Sequence, residues 1–200
     1  MLRARDNPFS TDRVLRLRYR FTTEDWTRLQ ETLVRHRGRG ALVGEKGSGK
    51  TTLLEDLAIR LRHGGKDVTL IRLSVEAPTL PGMYNPTFYA SLGRNDAVLL
   101  DGAEQLPLTR WWQFRWQTRR AGIVVITTHR AGRLYTLQNC TTSPELLCDL
   151  VSSLGQELSL AEAEVLHRRH RGNLRDAMRE LYDRFAKKSA GALSFPPLRA

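Results

Sequence analysis

The sequence is poor in cysteine and in long apolar runs. Its 200 residues include only two cysteines, Cys140 and Cys148, which are too few for a disulfide framework and have no zinc-binding spacing around them. We expect both to be buried, reduced thiols of a reducing compartment. The N-terminus has no apolar signal-peptide region, and no run of about 18 apolar residues occurs. We therefore expect a cytoplasmic protein with no membrane span.

Acidic residues are also scarce relative to basic ones. The 32 Lys and Arg residues against 21 Asp and Glu give a net charge of +11, and 27 of the 32 are arginines. The excess lies mainly in residues 1–40 and 101–135. This balance favours a polyanionic partner, most obviously nucleic acid, although a solvated basic surface would give the same composition.

Short apolar runs alternate with helical patterns through the first two thirds of the chain. The predicted strands are 41–43, 68–73, 97–100, 123–126 and 134–140. The predicted helices begin at Thr22 or Thr23, at residue 51, near residue 87 within a turn-rich segment (74–95), and at a Thr109 cap. Strands that alternate with helices predict an α/β fold with a parallel sheet. After Pro144 the pattern is all-helical, with three predicted helices, the second capped by Ser159 with Glu162.

Residues 44–51 carry the sequence G-x-x-x-x-G-K-T in full, between a predicted strand and a predicted helix. Glycines let backbone N–H groups turn inward around phosphate oxygens, and the helix N-terminus adds partial positive charge. Lys50 is expected at the terminal phosphates and the Thr51 hydroxyl on Mg²⁺. A glycine-rich turn alone would not explain Lys-Thr at the helix start. The residues predicted to contact a nucleoside triphosphate are Gly44, Glu45, Lys46, Gly47, Ser48, Gly49, Lys50, Thr51 and Thr52.

Two carboxylates follow the predicted strand 97–100. Asp101 is the predicted second Mg²⁺ ligand, since such sites place a carboxylate at a neighbouring strand end; its alternative role is to cap a turn with Gly102. Because Gly102 occupies the position where a glutamate commonly stands, the next carboxylate, Glu104, is the predicted catalytic base. The alternative for Glu104 is an acid that complements a helix dipole.

The strand predicted at 123–126 ends in hydroxyl groups. We expect Thr128 to hydrogen-bond the γ-phosphate or the attacking water. Thr127 is equally well explained as a satisfied strand residue, and His129 is better explained as a loop residue than as a base.

The last helix opens with the sequence Arg171-Gly172-Asn173-Leu174-Arg175. In the order of its motifs the chain resembles the AAA+ ATPases and the related STAND-type NTPases. The order is a glycine-rich loop, a strand-end Asp, a polar strand end, and three helices with G-N-x-R. The segments 7–10 and 39–45 are similar to small AAA+ ATPases of the secretion-helper and transposition-helper type, whereas VLLDGAEQL at residues 98–106 is closer to the STAND pattern. The resemblance implies that Arg175 contacts the γ-phosphate and that the nucleotide is ATP.

The resemblance also implies a fold class and a division of the chain. The expected fold is a P-loop NTPase parallel sheet flanked by helices and followed by a small C-terminal helical lid. The expected segments are a basic arm with the N-terminal helix (1–38), the nucleotide-binding core (39–143), the helical lid (144–188) and a flexible tail (189–200). Because Arg130 and Arg133 are the only candidates for an arginine finger, and their loop is short, the sequence argues against assembly into an ATPase ring.

Two basic segments are candidates for nucleic-acid contact. Residues 110–120 interleave aromatic side chains with arginines, which can stack on bases and neutralise phosphates. The alternative is a helix that covers the sheet with Trp112 and Trp116 in the core, although three tryptophans in six positions exceed what one face can bury. The arm from Arg13 to Arg20, with an extended edge from Arg16, either contacts phosphates or is a solvated arm.

These patterns together predict an ATP-binding, Mg²⁺-dependent ATP-hydrolysing protein that acts on a nucleic-acid or protein partner. The alternative is a nucleotide-dependent switch that hydrolyses weakly. A small-molecule kinase is disfavoured because the helical part follows the sheet instead of interrupting it. An ABC-type ATPase is disfavoured because no LSGGQ-like segment precedes Asp101.

Overall fold

The computed structural model describes residues 7–74 and 86–191. Within these ranges the strands are β1 (Arg39–Val43), β2 (Asp67–Arg72), β3 (Asp96–Asp101), β4 (Ile123–Thr128) and β5 (Thr136–Asn139). The α-helices are α1 (Thr11–Val14), α2 (Thr23–Arg35), α3 (Lys50–His63), α4 (Pro86–Ser91), α5 (Leu108–Gln117), α6 (Pro144–Ser153), α7 (Leu160–Arg169) and α8 (Leu174–Gly191). Two 3₁₀ turns occupy Ala103–Gln105 and Thr118–Arg120.

The five strands form one parallel sheet in the order β2-β3-β4-β1-β5, which confirms the α/β prediction. Helices cover both faces of the sheet. The side chains of β1, β3 and β4 are therefore mostly apolar and buried on both faces, instead of alternating between apolar and polar along each strand. Leu42, Leu99 and Val125 pack with α2 and α3 on one face. The opposite face packs with α5 through Trp111 and Phe114.

The carboxyl ends of β1, β3 and β4 lie side by side. Val43 at the end of β1 pairs with Thr128 at the end of β4, and Leu100 of β3 pairs with Ile126 of β4. After β1 the chain crosses to β2 at one edge of the sheet and returns through β3 and β4. It then passes β1 to form β5 at the other edge, so the direction in which strands are added reverses beside β1. Ligands of open α/β sheets bind at such a reversal, outside the carboxyl ends of the strands.

The chain divides into two compact units. The described residues of the first unit are 7–18, 46–48 and 141–191, and those of the second are 19–45, 49–74 and 86–140. The second unit contains the whole sheet. The first has its own core, in which α6, α7 and α8 pack with Phe9. Within it the Asn7 side chain donates to the Tyr182 carbonyl at 3.0 Å, so the segment 7–10 belongs to the helical unit rather than to a free arm.

Helix caps account for several element boundaries. Of the two predicted caps of α2, Thr22 is the N-cap, in a reciprocal capping box with Asp25. Ser159 caps α7 in a capping box with Glu162, as the sequence predicts. The predicted Thr109 cap is wrong. Pro107 is the N-cap of α5, and Thr109 is the second helical residue. The Pro107 carbonyl accepts from the Trp111 N–H at 2.9 Å, which starts the helix before Thr109.

Other local expectations are corrected by the structure. Trp112 and Trp116 are exposed, and Trp111 is the tryptophan of α5 that enters the core. Residues 16–20 alternate in exposure as expected but form no strand. Cys140 is buried, whereas Cys148 is only half-buried. Residues 189–191 continue α8 instead of joining a flexible tail.

Some predictions concern residues beyond the described ranges. These are the first six residues of the basic arm, residues 75–85 of the turn-rich segment, and residues 192–200 of the tail. In the part of the chain that the structure describes, no helix combines the length and the apolar character needed to cross a bilayer.

Candidate functional site

The loop that joins β1 to α3 carries the G-x-x-x-x-G-K-T sequence. Gly49 ends it in a left-handed conformation (φ +85°) as the N-cap of α3, where it has no side chain to cap the helix. A Cβ at Gly49 would lie 3.0 Å from the Tyr19 ring, so the position needs glycine for space as well as for its φ. Burial raises the pKa of the Tyr19 phenol above its ordinary value, which keeps the ring neutral against the loop.

Most peptide N–H groups of this loop are free. The Gly44 N–H donates to the Thr128 carbonyl at 3.2 Å. Within residues 7–74 and 86–191, the N–H groups of residues 45–49 donate to no acceptor. Free N–H groups before a helix, together with the positive end of the helix dipole, suit an anionic ligand.

The middle of the loop, residues 46–48, belongs to the first unit. Gly47 is left-handed (φ +77°), and a Cβ there would overlap the Asn173 side-chain oxygen. Asn173 is held in turn by Asp176, whose carboxylate accepts from the amide at 2.6 Å. Ser48 is buried, and its hydroxyl has no hydrogen-bond partner among the described residues. A buried hydroxyl without a partner is unfavourable unless a ligand supplies one.

Lys50 is buried at the start of α3. Its ammonium donates to the carbonyls of Gly44 and Glu45, both at 2.7 Å. Among the described residues no carboxylate lies within ion-pair distance of it, and one of its three donors is unused. Burial lowers the pKa of Lys50, and Glu104 is the strongest of the nearby groups that act in the opposite direction. An anion at this position would therefore stabilise the charged lysine.

Thr51, Asp101 and Thr127 form one hydrogen-bonded group. The Thr51 hydroxyl donates to Asp101 Oδ2 at 2.9 Å, and the Thr127 hydroxyl donates to Asp101 Oδ1 at 2.6 Å. The structure thus brings together the two residues predicted as metal ligands. Since the Thr51 proton is directed to Asp101, the lone pairs of that hydroxyl remain available. Hydroxyl and carboxylate oxygens are the hard ligands that Mg²⁺ prefers, so the donor set fits this ion.

The chain turns sharply after Asp101. Gly102 is left-handed (φ +83°), and a Cβ there would lie 2.6 Å from the Leu73 carbonyl oxygen. Its N–H donates to the Thr127 hydroxyl at 2.8 Å. This turn leads into the 3₁₀ turn Ala103–Gln105 and returns Glu104 toward the strand ends.

Glu104 has two different carboxylate oxygens. One, Oε1, lies 3.2 Å from His129 Nε2. The other, Oε2, is buried and has no partner among the described residues, although the side chain as a whole is 24% exposed. The charge of Glu104 acts on Lys50 and raises the pKa of the ammonium, against the effect of burial. The free oxygen is suited to accept a proton or a hydrogen bond from a small ligand such as water.

Arg133 supports the turn that carries Glu104. Its guanidinium donates to the carbonyls of Ala103 and Leu106, both at 2.6 Å, and lies 5.2 Å from the centroid of the Trp111 ring. Burial lowers the pKa of Arg133 from its ordinary value. The sequence suggests Arg133 only as a candidate arginine finger. In the structure it is a positioning residue whose donors bind this chain's own backbone.

The remaining predicted residues lie in less informative positions. Thr128 is buried, and its hydroxyl donates to the Arg130 carbonyl at 3.2 Å. Glu45 and Lys46 are exposed on the loop, and Thr52 is half-buried in the first turn of α3. Arg175 is exposed in the first turn of α8, in the other unit. Its role therefore stays a prediction.

Sequence reasoning did not single out Thr127 as the partner of Asp101. The sheet register provides the missing signal. Leu100 pairs with Ile126 in a parallel ladder, so the next residues, Asp101 and Thr127, also lie side by side. Tyr19 and Asn173 limit the space around the two loop glycines. Asn173 belongs to the G-N-x-R sequence, but nothing in that sequence indicates its contact with Gly47, and Tyr19 carries no recognisable signal.

No protein-family model matches the chain, and no curated protein matches it. Among solved structures, the chain is similar to a chain in the structure of the E. coli MS115-1 HORMA:CdnC:Trip13 complex. The sequence identity is 21% and the TM-score 0.41, and the match covers 69% of this chain and 61% of that chain. A similarity at this level does not identify a function.

Proposed function

We propose that the protein is a Mg²⁺-dependent P-loop NTPase that binds and hydrolyses ATP, similar to small AAA+ ATPases. The observation that carries the proposal is the convergence of Lys50, Thr51 and Asp101 at the carboxyl ends of β1 and β3, the two strands that flank β4 in the parallel sheet. A full G-x-x-x-x-G-K-T sequence precedes this cluster, and free loop N–H groups accompany it.

In this proposal the loop residues 44–52 surround the phosphates, and Lys50 neutralises the terminal ones. Thr51 and Asp101 hold Mg²⁺, which when bound neutralises charge on the phosphate oxygens. Lys50 and the loop N–H groups then orient the terminal phosphoryl group by hydrogen bonds. Positioning and electrostatic stabilisation account for most of the catalysis in phosphoryl transfer.

Glu104 is the proposed base. Its buried, partnerless Oε2 accepts the proton or hydrogen bond of the attacking water, while His129 fixes Oε1. Arg133 holds the backbone on both sides of Glu104. Arg175 is proposed, from the resemblance alone, to contact the γ-phosphate.

One observation favours the second candidate, a switch that hydrolyses weakly. Glu104 stands three residues after Asp101, not next to it, and one of its oxygens is engaged by His129. If that contact persists with nucleotide bound, Glu104 is held away from the attacking water, and the bound triphosphate lasts long enough to act as a signal.

The net charge of +11 favours a polyanionic partner for the nucleotide cycle. We therefore include nucleic acid in the proposal, with a protein as the alternative partner.

Nucleotide binding and turnover test the proposal separately. Calorimetry with ATP and Mg²⁺ should register binding to wild type, loss of binding to Lys50→Ala, and no change for the matched control Lys66→Ala in the turn after α3. Chelation of the metal with EDTA should weaken ATP binding. Absence of binding to folded wild-type protein would refute the proposal.

Single-turnover hydrolysis distinguishes the two candidates. Glu104→Gln should keep ATP binding and lose turnover by about 10²–10⁴-fold, the usual contribution of a general base. Glu31→Gln, on the exposed side of α2, is the matched control. Normal turnover in Glu104→Gln would remove Glu104 from the mechanism. Slow turnover in wild type that rises in His129→Ala would favour the switch.

A further inference from the structure

We propose that one exposed face of α5, continued by the 3₁₀ turn Thr118–Arg120, binds single-stranded nucleic acid. This face, called here the Trp/Arg face, consists of Leu108, Trp112, Arg115, Trp116 and Arg119. The proposal concerns a surface of the sheet unit and is independent of whether the protein hydrolyses ATP.

The apolar members of the Trp/Arg face form a continuous stripe. Leu108, Trp112 and Trp116 are spaced four residues apart, so they follow one another along the same side of the helix at intervals of about 6 Å. They are 69%, 60% and 65% exposed, respectively. The opposite side of α5 fills the core through Trp111 and Phe114. The exposed tryptophans therefore contribute little to folding, and clustered exposed apolar groups commonly mark a binding surface.

Each exposed indole is paired with an arginine. The Arg115 guanidinium carbon lies 4.9 Å from the centroid of the Trp112 ring, and that of Arg119 lies 4.1 Å from the Trp116 ring. These contacts place positive charge over one face of each indole. The exposed remainder of each ring can stack on an unpaired base while the guanidinium contacts a phosphate.

The charge around this face has one sign. The segment 108–120 contains four arginines and no acidic residue. Within the described ranges, none of these four arginines takes part in an ion pair. An apolar protein partner would cover Leu108 and the indoles but leave the guanidinium groups without counter-charges. A nucleic acid supplies both the planar apolar surface and the negative charge.

Single strands fit better than duplexes. In a duplex the bases are stacked on one another, so the indoles would meet only the backbone and base edges, whereas an unpaired base offers its whole face. The expected binding is tolerant of sequence, since every base has such a face, and depends strongly on salt.

The test is fluorescence anisotropy of a labelled thymidine homopolymer titrated with the full chain, between about 50 and 200 mM salt. The variant W112A/W116A should weaken binding by about 5- to 150-fold for each base that stacks, with an unchanged salt slope. W112F/W116F should retain most of the affinity because it keeps aromatic rings. R115Q/R119Q should reduce the salt slope by about 1.4, or about 0.7 for each lost phosphate contact.

A matched control removes the same charge elsewhere. R28Q/R35Q, at exposed positions of α2, should bind the homopolymer like wild type apart from a small loss common to any reduction in net charge. Circular dichroism verifies that each variant is folded, and ATP binding measured on the same samples reports separately on the nucleotide proposal.

Several results would overturn the inference. They are no binding by wild type, undiminished binding by W112A/W116A, equal losses in R115Q/R119Q and R28Q/R35Q, and tighter binding of a duplex of the same length. A wild-type dimer that W112A/W116A converts to monomer would assign the face to self-association and would also refute it.

Discussion

Replacing Thr127 by valine tests the hydrogen-bonded group at the end of β3. Thr127 is 1% exposed, and its hydroxyl donates to the Asp101 carboxylate at 2.6 Å and accepts from the Gly102 N–H at 2.8 Å. Valine has nearly the same shape but provides neither interaction. The substitution therefore removes one hydrogen bond to a charged group and leaves the Gly102 N–H without an acceptor.

The expected loss follows from these two terms. A hydrogen bond to a charged group contributes about 1.5–3 kcal/mol, and a buried donor left without a partner costs about 1–3 kcal/mol. Together the two terms give an expected fall in the free energy of unfolding of about 2.5–6 kcal/mol, which is large for a single substitution. Urea denaturation followed by far-ultraviolet circular dichroism measures it, because the midpoint shifts at constant slope.

The neighbouring residue provides a matched control. Thr128 is also buried, at 3% exposure, but its hydroxyl makes one longer bond, of 3.2 Å, to the carbonyl of the exposed residue Arg130. Thr128→Val should cost about 1 kcal/mol or less, and Thr127→Ser should retain most of the stability. A loss in Thr127→Val that does not exceed the loss in Thr128→Val would refute the role assigned to Thr127.

Three further outcomes are expected. Gly47→Ala should lower the free energy of unfolding by at least about 1–2 kcal/mol because residue 47 has a left-handed φ. Adding Asn173→Ala should recover only the part of the loss that comes from the overlap with the Asn173 side chain. Urea denaturation of the single and double variants tests both expectations. Arg133→Met should lower the free energy of unfolding, measured by urea denaturation, by about 2 kcal/mol because two backbone carbonyls lose a charged donor. Arg133→Lys should recover only part of this loss, since lysine cannot reproduce both hydrogen bonds of the guanidinium. Equal stability of wild type and both variants would contradict the role of Arg133. Burial raises the pKa of the Cys140 and Cys148 thiols, so both should react slowly with an aromatic disulfide reagent at neutral pH. In folded protein the half-buried Cys148 should be modified before the buried Cys140, and the reverse order would contradict the structure.

The sequence was sufficient for the sheet because its strands are buried on both faces. Runs such as Ala97–Leu100 are apolar throughout, and the helices between them predict parallel pairing. The loop of residues 44–51 and the strand-end Asp101 were recognisable since each follows such a run. The sequence alone therefore predicts that Thr51 and Asp101 lie close together.

Contacts that depend on tertiary packing could not be predicted. Periodicity places Trp112 and Trp116 on one face but does not say whether that face meets the sheet, and the sheet selects Trp111 instead. Arg133 is one of many arginines in the sequence, and its role depends on two carbonyls that a 3₁₀ turn orients toward it. Such roles arise from backbone direction, which residue type alone does not encode.

The left-handed turn at Gly102 limits how this chain can change over evolution or in the laboratory. Installing a glutamate there, to imitate enzymes that keep two adjacent acids, would force a side chain against the Leu73 carbonyl and into an unfavourable φ. A single substitution at Gly102 therefore cannot convert the spaced acids of this chain, Asp101 and Glu104, into two adjacent acids. A protein engineer who wants the former has to redesign the backbone of residues 101–106 together with its Arg133 support.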